Sequence, residues 1–580
     1  MASLDAAAVA SLLREYAQRS ALRGGNPYRS RAYLRAAESL AMMPVPLEQV
    51  IREERLPEIP GVGAAIANII TKLHKTGTHP VLEAMRNEVP AGVLEMLAVP
   101  GLRPDQVLKL YDTLGIASLT ELEAAARAGR LAGVKGLGTA LEAKVLQGLE
   151  IIRTGQGRRH LHRAQALLES AEAHLRRAHP DLKRITPAGD FRRGCELVSD
   201  LALVAEARSV DEPTLTISTS SGLSIYLTDS ARYGITLLQT TGSPAHIEKL
   251  QSIAREQGTV LEEAGLRRQR KVVARKSEQE IYAALGLPFI EPELREGSDE
   301  IALAREGKLP RLVTDQDIRG ILHAHTNLSD GVHTLQVMSE ATRARGYQYF
   351  GVADHSKSAH YAGGLSIEEI EQQHDEIDRL NRRYGRSFRI FKGIESDILP
   401  DGSLDYPEEI LARFDFVVAS VHGRFRLGRK EQTERILRAV SNPYTTILGH
   451  MTGRQLLRRP GYDVDVEKIL ASCAQHGVAV EINANPWRLD LDWRWHRRAL
   501  ELGCMMSINP DAHSTDELDL THWGVEMARK GSVPRNRVLN CLDLRALTSE
   551  LEKRRRSRST TRRGPKASSN AATRSTHADA

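Results

Sequence analysis

The sequence predicts a multidomain chain: an α-helical N-terminal region, an α+β middle, a C-terminal α/β barrel and a disordered basic tail. Three observations predict it. An apolar turn built on glycine recurs three times between helical stretches before residue 150. Short β-rich segments dominate residues 183–250. From Ile318 to about Leu547, seven apolar runs alternate with helical patterns, at 318–324, 347–353, 388–394, 414–421, 445–449, 478–482 and 504–509. Alternating strands and helices argue for a parallel sheet or barrel.

The elements follow in order. Residues 1–45 read as amphipathic helix. The glycine turns are IPGVGAAIANII at Ile59–Ile70, VPGLRPDQVLKLY at Val99–Tyr111 and VKGLGTALEAKVL at Val134–Leu146. Glycine permits the tight turn, and the helix that follows offers free backbone N–H groups and a positive dipole end. Such an arrangement binds phosphate without reading bases, so Gly61, Gly63, Gly101, Gly136 and Gly138 are the expected DNA-backbone contacts. In the middle, ITPAGDFRRGCELVSDLALVAE and LSIYLTDSARYGITLLQTTGSPAH read as β-rich, and SEQEIYAALGL as helix.

Composition bounds the rest. A chain of 580 residues allows about three to five domains. Cys195, Cys473, Cys504 and Cys541 have no C-x-x-C spacing, which suits a reducing compartment and gives no thiolate metal site. There is no signal-type apolar stretch and no apolar run of about 18 residues, so a soluble cytoplasmic protein is expected. The net charge of +6 is concentrated at the C-terminus. Residues 553–580 hold nine Lys/Arg and one acid, a net +8, which leaves residues 1–552 at −2. That tail lacks large apolar residues and is expected to be disordered, either inert or a tether for nucleic acid.

Possible metal ligands stand at the ends of the barrel's apolar runs: His323, His325, Asp330, His355, Glu395, His422, His450, Asp511 and His513. Residues two apart on a strand share a face, so His323 with His325, and Asp511 with His513, can each converge. Mixed histidine and carboxylate sets suit manganese, zinc or iron better than an all-oxygen magnesium cage. Several ions with open positions suit phosphoester hydrolysis.

These motifs carry a resemblance. HAHTNLSDG, ADHS, GIESDI, SVHG, LGHM, EINAN and PDAH match, in order, the PHP (polymerase and histidinol phosphatase) domain. NPYRSRAYLRAAESL, the three hairpins, PAGDFRRGCELVSD and TTGSPAH resemble a family X DNA polymerase. Together they are similar to the bacterial PolX family, in which the two are fused. The resemblance implies a helix-hairpin-helix region, an α+β polymerase-X-like palm and thumb, and a distorted (β/α)7 PHP barrel. It also implies boundaries at 1–85 and 86–155 for the DNA-binding helices, 156–310 for palm and thumb, 318–548 for the PHP domain and 549–580 for the tail. By position, His323, His325, Glu395 and Asp511 would hold one divalent ion. Glu395, His422 and His450 would hold a second, and Asp330, His355 and His513 a third. Asp330, Glu395 and Arg424 are the expected catalytic groups, with Arg454 and Lys357 as further phosphate clamps.

The palm departs from its family. The D-x-D pair becomes Asp200 with Ala202, and the strand for the third carboxylate reads Ile225-Tyr226-Leu227. One carboxylate does not organise two magnesium ions. The family's Gly-Ser turn becomes Gly189-Asp190, which sets a charge against a triphosphate at a cost of roughly 1–4 kcal/mol at about 4 Å. Asp200, Arg192, Arg193, Gly242 and Ser243 are what remains of the polymerase site, and Glu206 or Asp229 moving in is the alternative. The segment between Ala205 and Leu223 reads as short for this palm. The lyase lysine position holds Ile69, so no lyase activity is expected. The expected function is DNA repair by metal-dependent trimming of 3′ ends on gapped or nicked DNA, with polymerisation lost. A gap-filling polymerase, a small-molecule phosphatase and a non-enzymatic DNA scaffold stay open as alternatives.

Overall fold

The computed structural model describes residues 3–561 apart from 42, 44, 60, 139, 209–214 and 219–221. The N-terminus forms two helices, Ala6–Leu22 and Pro27–Ala41, rather than one. Gly24, at φ +74°, breaks the run between them.

The three glycine turns share one backbone. The N–H groups of Val62, Leu102 and Leu137 donate to the carbonyls of Ile59, Val99 and Val134 at 3.0, 3.1 and 2.9 Å. Gly61, Gly101 and Gly136 occupy the third position at φ +85°, +89° and +83°. A type II turn needs positive φ there, which is why glycine recurs. Each turn feeds a helix: Ala64–Thr76, Pro104–Leu114 and Ala140–Gly155. A side chain placed at Gly63 or Gly138 would meet only open space, so the backbone is bare there, whereas Gly61 packs against Arg35 and Gly136 against Lys109. Two apolar cores hold these helices, one running from Val9 to Leu73 and the other centred on Val93 to Val145.

The palm sheet runs Ile185–Ala188, Leu201–Glu206, Leu223–Thr228, Leu215–Ser218 in spatial order. Tyr233–Thr241, expected to be β-rich, is a helix. Its β-branched run is apolar because most of the helix is buried, and periodicity does not separate a buried helix from a buried strand. Thr236 and Thr240 donate their hydroxyls to the carbonyls of Arg232 and Thr236, four residues back, at 3.1 and 2.7 Å. Helix Pro244–Glu256 and a small antiparallel sheet follow it.

Seven parallel strands then pair strictly in sequence order: Gly320–Ile321, Tyr349–Val352, Arg389–Asp397, Phe416–Ser420, Ile447–Leu448, Ala479–Asn483 and Met506–Asn509. A bridge between Ala324 and Ala512 closes the curve, where the His325 N–H donates to the Ala512 carbonyl at 2.8 Å. The barrel and palm share one continuous apolar core, in which Val198, Leu201 and Leu203 pack with Ile394, Val417 and Ile482. No helix among the described residues is long and apolar enough to cross a membrane. All four cysteines are free.

The tail is only partly as expected. Helix Leu544–Thr561 extends into the region read as disordered, and residues 562–580 lie outside the described residues. The reason is an apolar stripe hidden by the charge-rich composition. Leu547 and Leu551 are buried with Leu322, Tyr349, Phe391 and Phe416, sealing one end of the barrel. Leu551→Ala should cost roughly 2–5 kcal/mol. Urea denaturation of the full chain checks this, and an unchanged midpoint would contradict the seal.

Candidate metal centre

The nine expected ligands meet at the end of the barrel where the strands finish. His323, His325 and Asp330 follow the first strand, and His355 follows the second. Glu395 lies within strand Arg389–Asp397. His422, His450, Asp511 and His513 each lie two to four residues beyond a strand end. Asp511 adopts φ +53°, a left-handed geometry that turns the chain back at the site.

Glu395 is the hub. His323 Nε2 lies 3.4 Å from its Oε1, His422 Nε2 3.3 Å and His450 Nε2 3.0 Å. His355 Nδ1 lies 3.0 Å and His325 Nε2 3.8 Å from Oε2. Three tight donor groups result: His323, His325, Asp511; His355, Glu395, His422; and His325, Asp330, His355, His513. The first matches the expected set with Glu395 alongside. The others differ in detail, because His355 joins Glu395 as well as Asp330, and His325 faces the Asp330 group too.

The donor set fits divalent ions. His325 Nδ1 and His450 Nδ1 are buried with no hydrogen-bond partner, and His323 Nε2, His355 Nδ1 and Glu395 Oε2 crowd one another's groups without hydrogen-bond geometry. Buried polar atoms rarely stay unsatisfied, and these belong to the residues of the cluster.

Electrostatics follow from this crowding. Burial opposes charge on His355, but Glu395 and Asp330 outweigh it and lift the imidazole to about 10. Burial likewise opposes His422 and His513, yet Glu395 with Asp397, and Asp330 with Asp511, raise each to about 9. His325 moves the other way, to about 3, through burial and its neighbours His513 and His355. Burial opposes ionisation of Glu395, but His422, His323 and His355 hold its carboxyl far below the usual range.

A further layer orients the ligands, and the sequence reading missed it. Glu481 Oε1 lies 2.6 Å from His323 Nδ1, while Oε2 accepts the His450 N–H at 2.7 Å. Asp397 Oδ1 lies 2.6 Å from His422 Nδ1. The Asn483 amide donates to Asp511 at 3.1 Å. Asp354 accepts from the Thr326 N–H at 2.7 Å, the Ser329 hydroxyl at 2.5 Å and Gln373 at 2.6 Å, which fixes the loop bearing Asp330. Such partners set ring orientation and tautomer. For Asp354 and Asp397 the signal was adjacency, since each sits inside a ligand motif, ADHS and IESD; Glu481 and Asn483 stand in EINAN, which holds no expected ligand.

The expected clamps divide. Arg454 is no clamp, because it donates to the Arg488 carbonyl at 3.1 Å and to Asp492 at 2.8 Å. Lys357 and Arg424 are exposed, and Arg424 has φ +59°.

The palm site is different in kind. Ala202 and Val204 lie in one apolar cluster with Ala188, Tyr226, Tyr233 and Leu237, so apolar side chains surround the positions where the resemblance expects further carboxylates. Asp200 stands beside Asp190, and burial together with that neighbour lifts it to about 6. Asp190 is neutralised by Arg193 and accepts the Ser199 N–H at 2.9 Å, so it does not present a bare charge. Arg192 is spent on Glu278, at 2.8 and 2.7 Å, and Arg193 also binds Glu296 at 3.1 Å; neither is free for DNA. Ser243 caps helix Pro244–Glu256, its hydroxyl accepting from the His246 N–H at 3.1 Å, with Gly242 just before it. Glu206 binds Arg184 at 2.5 Å and Asp229 binds Arg232 at 2.6 Å, so neither has moved to Asp200. The short segment between Ala205 and Leu223 lies partly outside the described residues. Ile69 packs against the first helical core.

Comparisons with known proteins agree with this division. Residues 5–79 match a helix-hairpin-helix domain, 93–150 a SAM-like helix-hairpin-helix tandem and 236–296 the DNA polymerase beta thumb. A "probable phosphatase" of Thermoanaerobacter sp. (strain X514) is 27% identical over 38% of this chain and 90% of its own length. Fold, centre and matches define a metal-dependent phosphoesterase joined to DNA-polymerase modules, with DNA as its partner. The chain is 33% identical to the "DNA polymerase/3'-5' exonuclease PolX" of Bacillus subtilis (strain 168), over 93% of this chain and 98% of that one. It belongs to the PolX family.

The centre sets a pH dependence. His355, His422 and His513 lie above the ordinary value of 6.5. The stability they lend the metal-free chain is therefore full below about pH 6.5 and is lost as pH rises through 9–10. Metal binding needs neutral imidazoles, so it should release protons and tighten with pH. Calorimetric titration with Mn²⁺ at about pH 6 and about pH 8 checks this; affinity independent of pH would contradict it.

Proposed function

We propose that this chain is a DNA-repair enzyme whose barrel hydrolyses phosphodiesters at DNA 3′ ends, on gapped or nicked DNA, and whose palm no longer polymerises. One observation carries the reading: a buried carboxylate, Glu395, ringed by five imidazoles at the open end of the barrel. The residues suit three divalent ions, manganese or zinc with iron as a further candidate, held by the three sets given above. When bound, such ions supply Lewis acidity to the attacking water and to the phosphate. The chain's own groups do the positioning. Glu481 and Asp397 fix the imidazoles of His323 and His422. Asp330 and Glu395 remain ionised, and exposed Lys357 and Arg424 offer positive charge to a phosphate at the mouth. The turns at Gly61, Gly63, Gly101, Gly136 and Gly138, open at Gly63 and Gly138 and with the Lys109 ammonium against Gly136, suit sequence-independent grip on the DNA backbone. Free thiols throughout fit a reducing cytoplasm.

Loss of polymerisation is supported by the apolar filling around Ala202 and Tyr226 and by the occupied arginines. A 5′-labelled gapped duplex with Mn²⁺ tests the nuclease: wild type should give 3′-shortened product and His325→Ala none. Labelled dNTP on the same duplex should not be incorporated; incorporation abolished by Asp200→Ala would overturn the palm reading.

A second reading, a small-molecule phosphatase, is favoured by the relatives named "probable phosphatase" that match about this part of the chain. Turnover on an oligonucleotide should exceed that on p-nitrophenyl phosphate by a wide margin, and the reverse would favour the phosphatase.

A further inference from the structure

The mouth of the metal centre carries exposed rings. Eleven large apolar side chains are exposed among the described residues; Val332 and Tyr361 lie after ligand-bearing strands, and Trp487 follows strand Ala479–Asn483 at the same end of the barrel. Val332 follows Asp330 by two residues, and its N–H donates to the His513 carbonyl at 2.7 Å. Tyr361 is 71% exposed, yet its ring centre is 6.2 Å from that of His355 and 6.4 Å from that of His422. Trp487 is 44% exposed and lies four residues beyond Asn483, the group that holds Asp511.

Trp487 is braced. Its backbone N–H donates to Asn485 Oδ1 at 3.1 Å, and its backbone carbonyl accepts from the Leu456 N–H at 2.7 Å. The rings of His160 and His162 lie 4.4 and 5.0 Å away, and the Arg163 guanidinium stands 4.8 Å from the ring centre. His162 and Arg163 open helix Leu161–Ala178 of the polymerase-like half, so this platform joins that half to the barrel mouth. An exposed indole beside an arginine, at the same end of the barrel as a second exposed ring that stands against His355 and His422, has the make-up of a single-strand path.

We propose that Trp487, braced by Arg163, and Tyr361 are an outer and an inner seat for unpaired bases of a DNA strand whose 3′ end enters the metal centre. The inference rests on the DNA-end reading above and names how the strand is held. Stacking accepts any base, so the seat selects for unpaired strand rather than sequence. It would also favour an oligonucleotide over a small phosphomonoester.

The test uses the full chain in EDTA and a 5′-fluorescent oligothymidylate. By anisotropy, Trp487→Ala should weaken binding about tenfold with its thermal midpoint kept, Trp487→Phe should bind nearly as wild type, and an abasic strand of equal length should bind wild type about as poorly as thymidylate binds the alanine variant. Unlabelled oligothymidylate should quench tryptophan emission in wild type and much less in Trp487→Phe, a readout that stands even if the alanine variant does not fold. Equal binding by Trp487→Ala, equal binding of the abasic strand, or a quench that survives in Trp487→Phe would overturn the proposal. Seat behaviour as expected, with no 3′ shortening in Mn²⁺, would leave the seat standing and overturn the nuclease reading instead.

Discussion

A carboxylate buried without compensation costs several kcal/mol, and Glu395 is fully enclosed. What permits it is the ring of His323, His325, His355, His422 and His450 around its two oxygens. Those imidazoles come from four different strand ends, so the requirement reaches across the barrel. The strands must finish level, the sheet must curve, and the Ala324–Ala512 bridge must close it. Removing Glu395 would leave several buried nitrogens facing one another, and removing the histidines would leave a bare buried anion. The centre and the barrel therefore specify each other.

The palm shows the opposite case, a polymerase-like sheet with apolar residues where the sequence reading expected carboxylates. The family needs three carboxylates on that sheet, whereas Ala202 and Tyr226 belong to a small apolar cluster. Arginines suited to phosphate have become internal ties: Arg192 and Arg295 share Glu278, and Arg193 shares Glu296 with Lys530 of the barrel. Trp493 and Arg494 of the barrel bind Glu196 at 2.7 and 2.8 Å. The polymerase-like half thus has a structural use independent of nucleotide chemistry: its apolar residues share one core with the barrel.

Much of this was legible in the sequence, for local reasons. A strand end followed by His or Asp is a short-range signal; five of the seven strands fall within the apolar runs that mark them, and Arg389–Asp397 and Ala479–Asn483 overrun theirs by three residues and one. The glycine turns were equally plain, because positive φ leaves few other residues. What stayed hidden depends on distant partners. Glu481 and Asp397 look like ordinary strand residues until His323 and His422 fold against them. Nothing near Arg192 announces Glu278, 86 residues on. Helix Tyr233–Thr241 looked like a strand because burial on most sides erased its periodicity, and the charged run before Thr561 masked Leu547 and Leu551.

The central claim is that these side chains form a metal centre, and elemental analysis of the purified chain tests it most directly. The account predicts two to three manganese, zinc or iron ions per chain, falling to about one or none in Glu395→Gln. A wild-type chain that purifies without metal and takes up none from buffered Mn²⁺ or Zn²⁺ would contradict it.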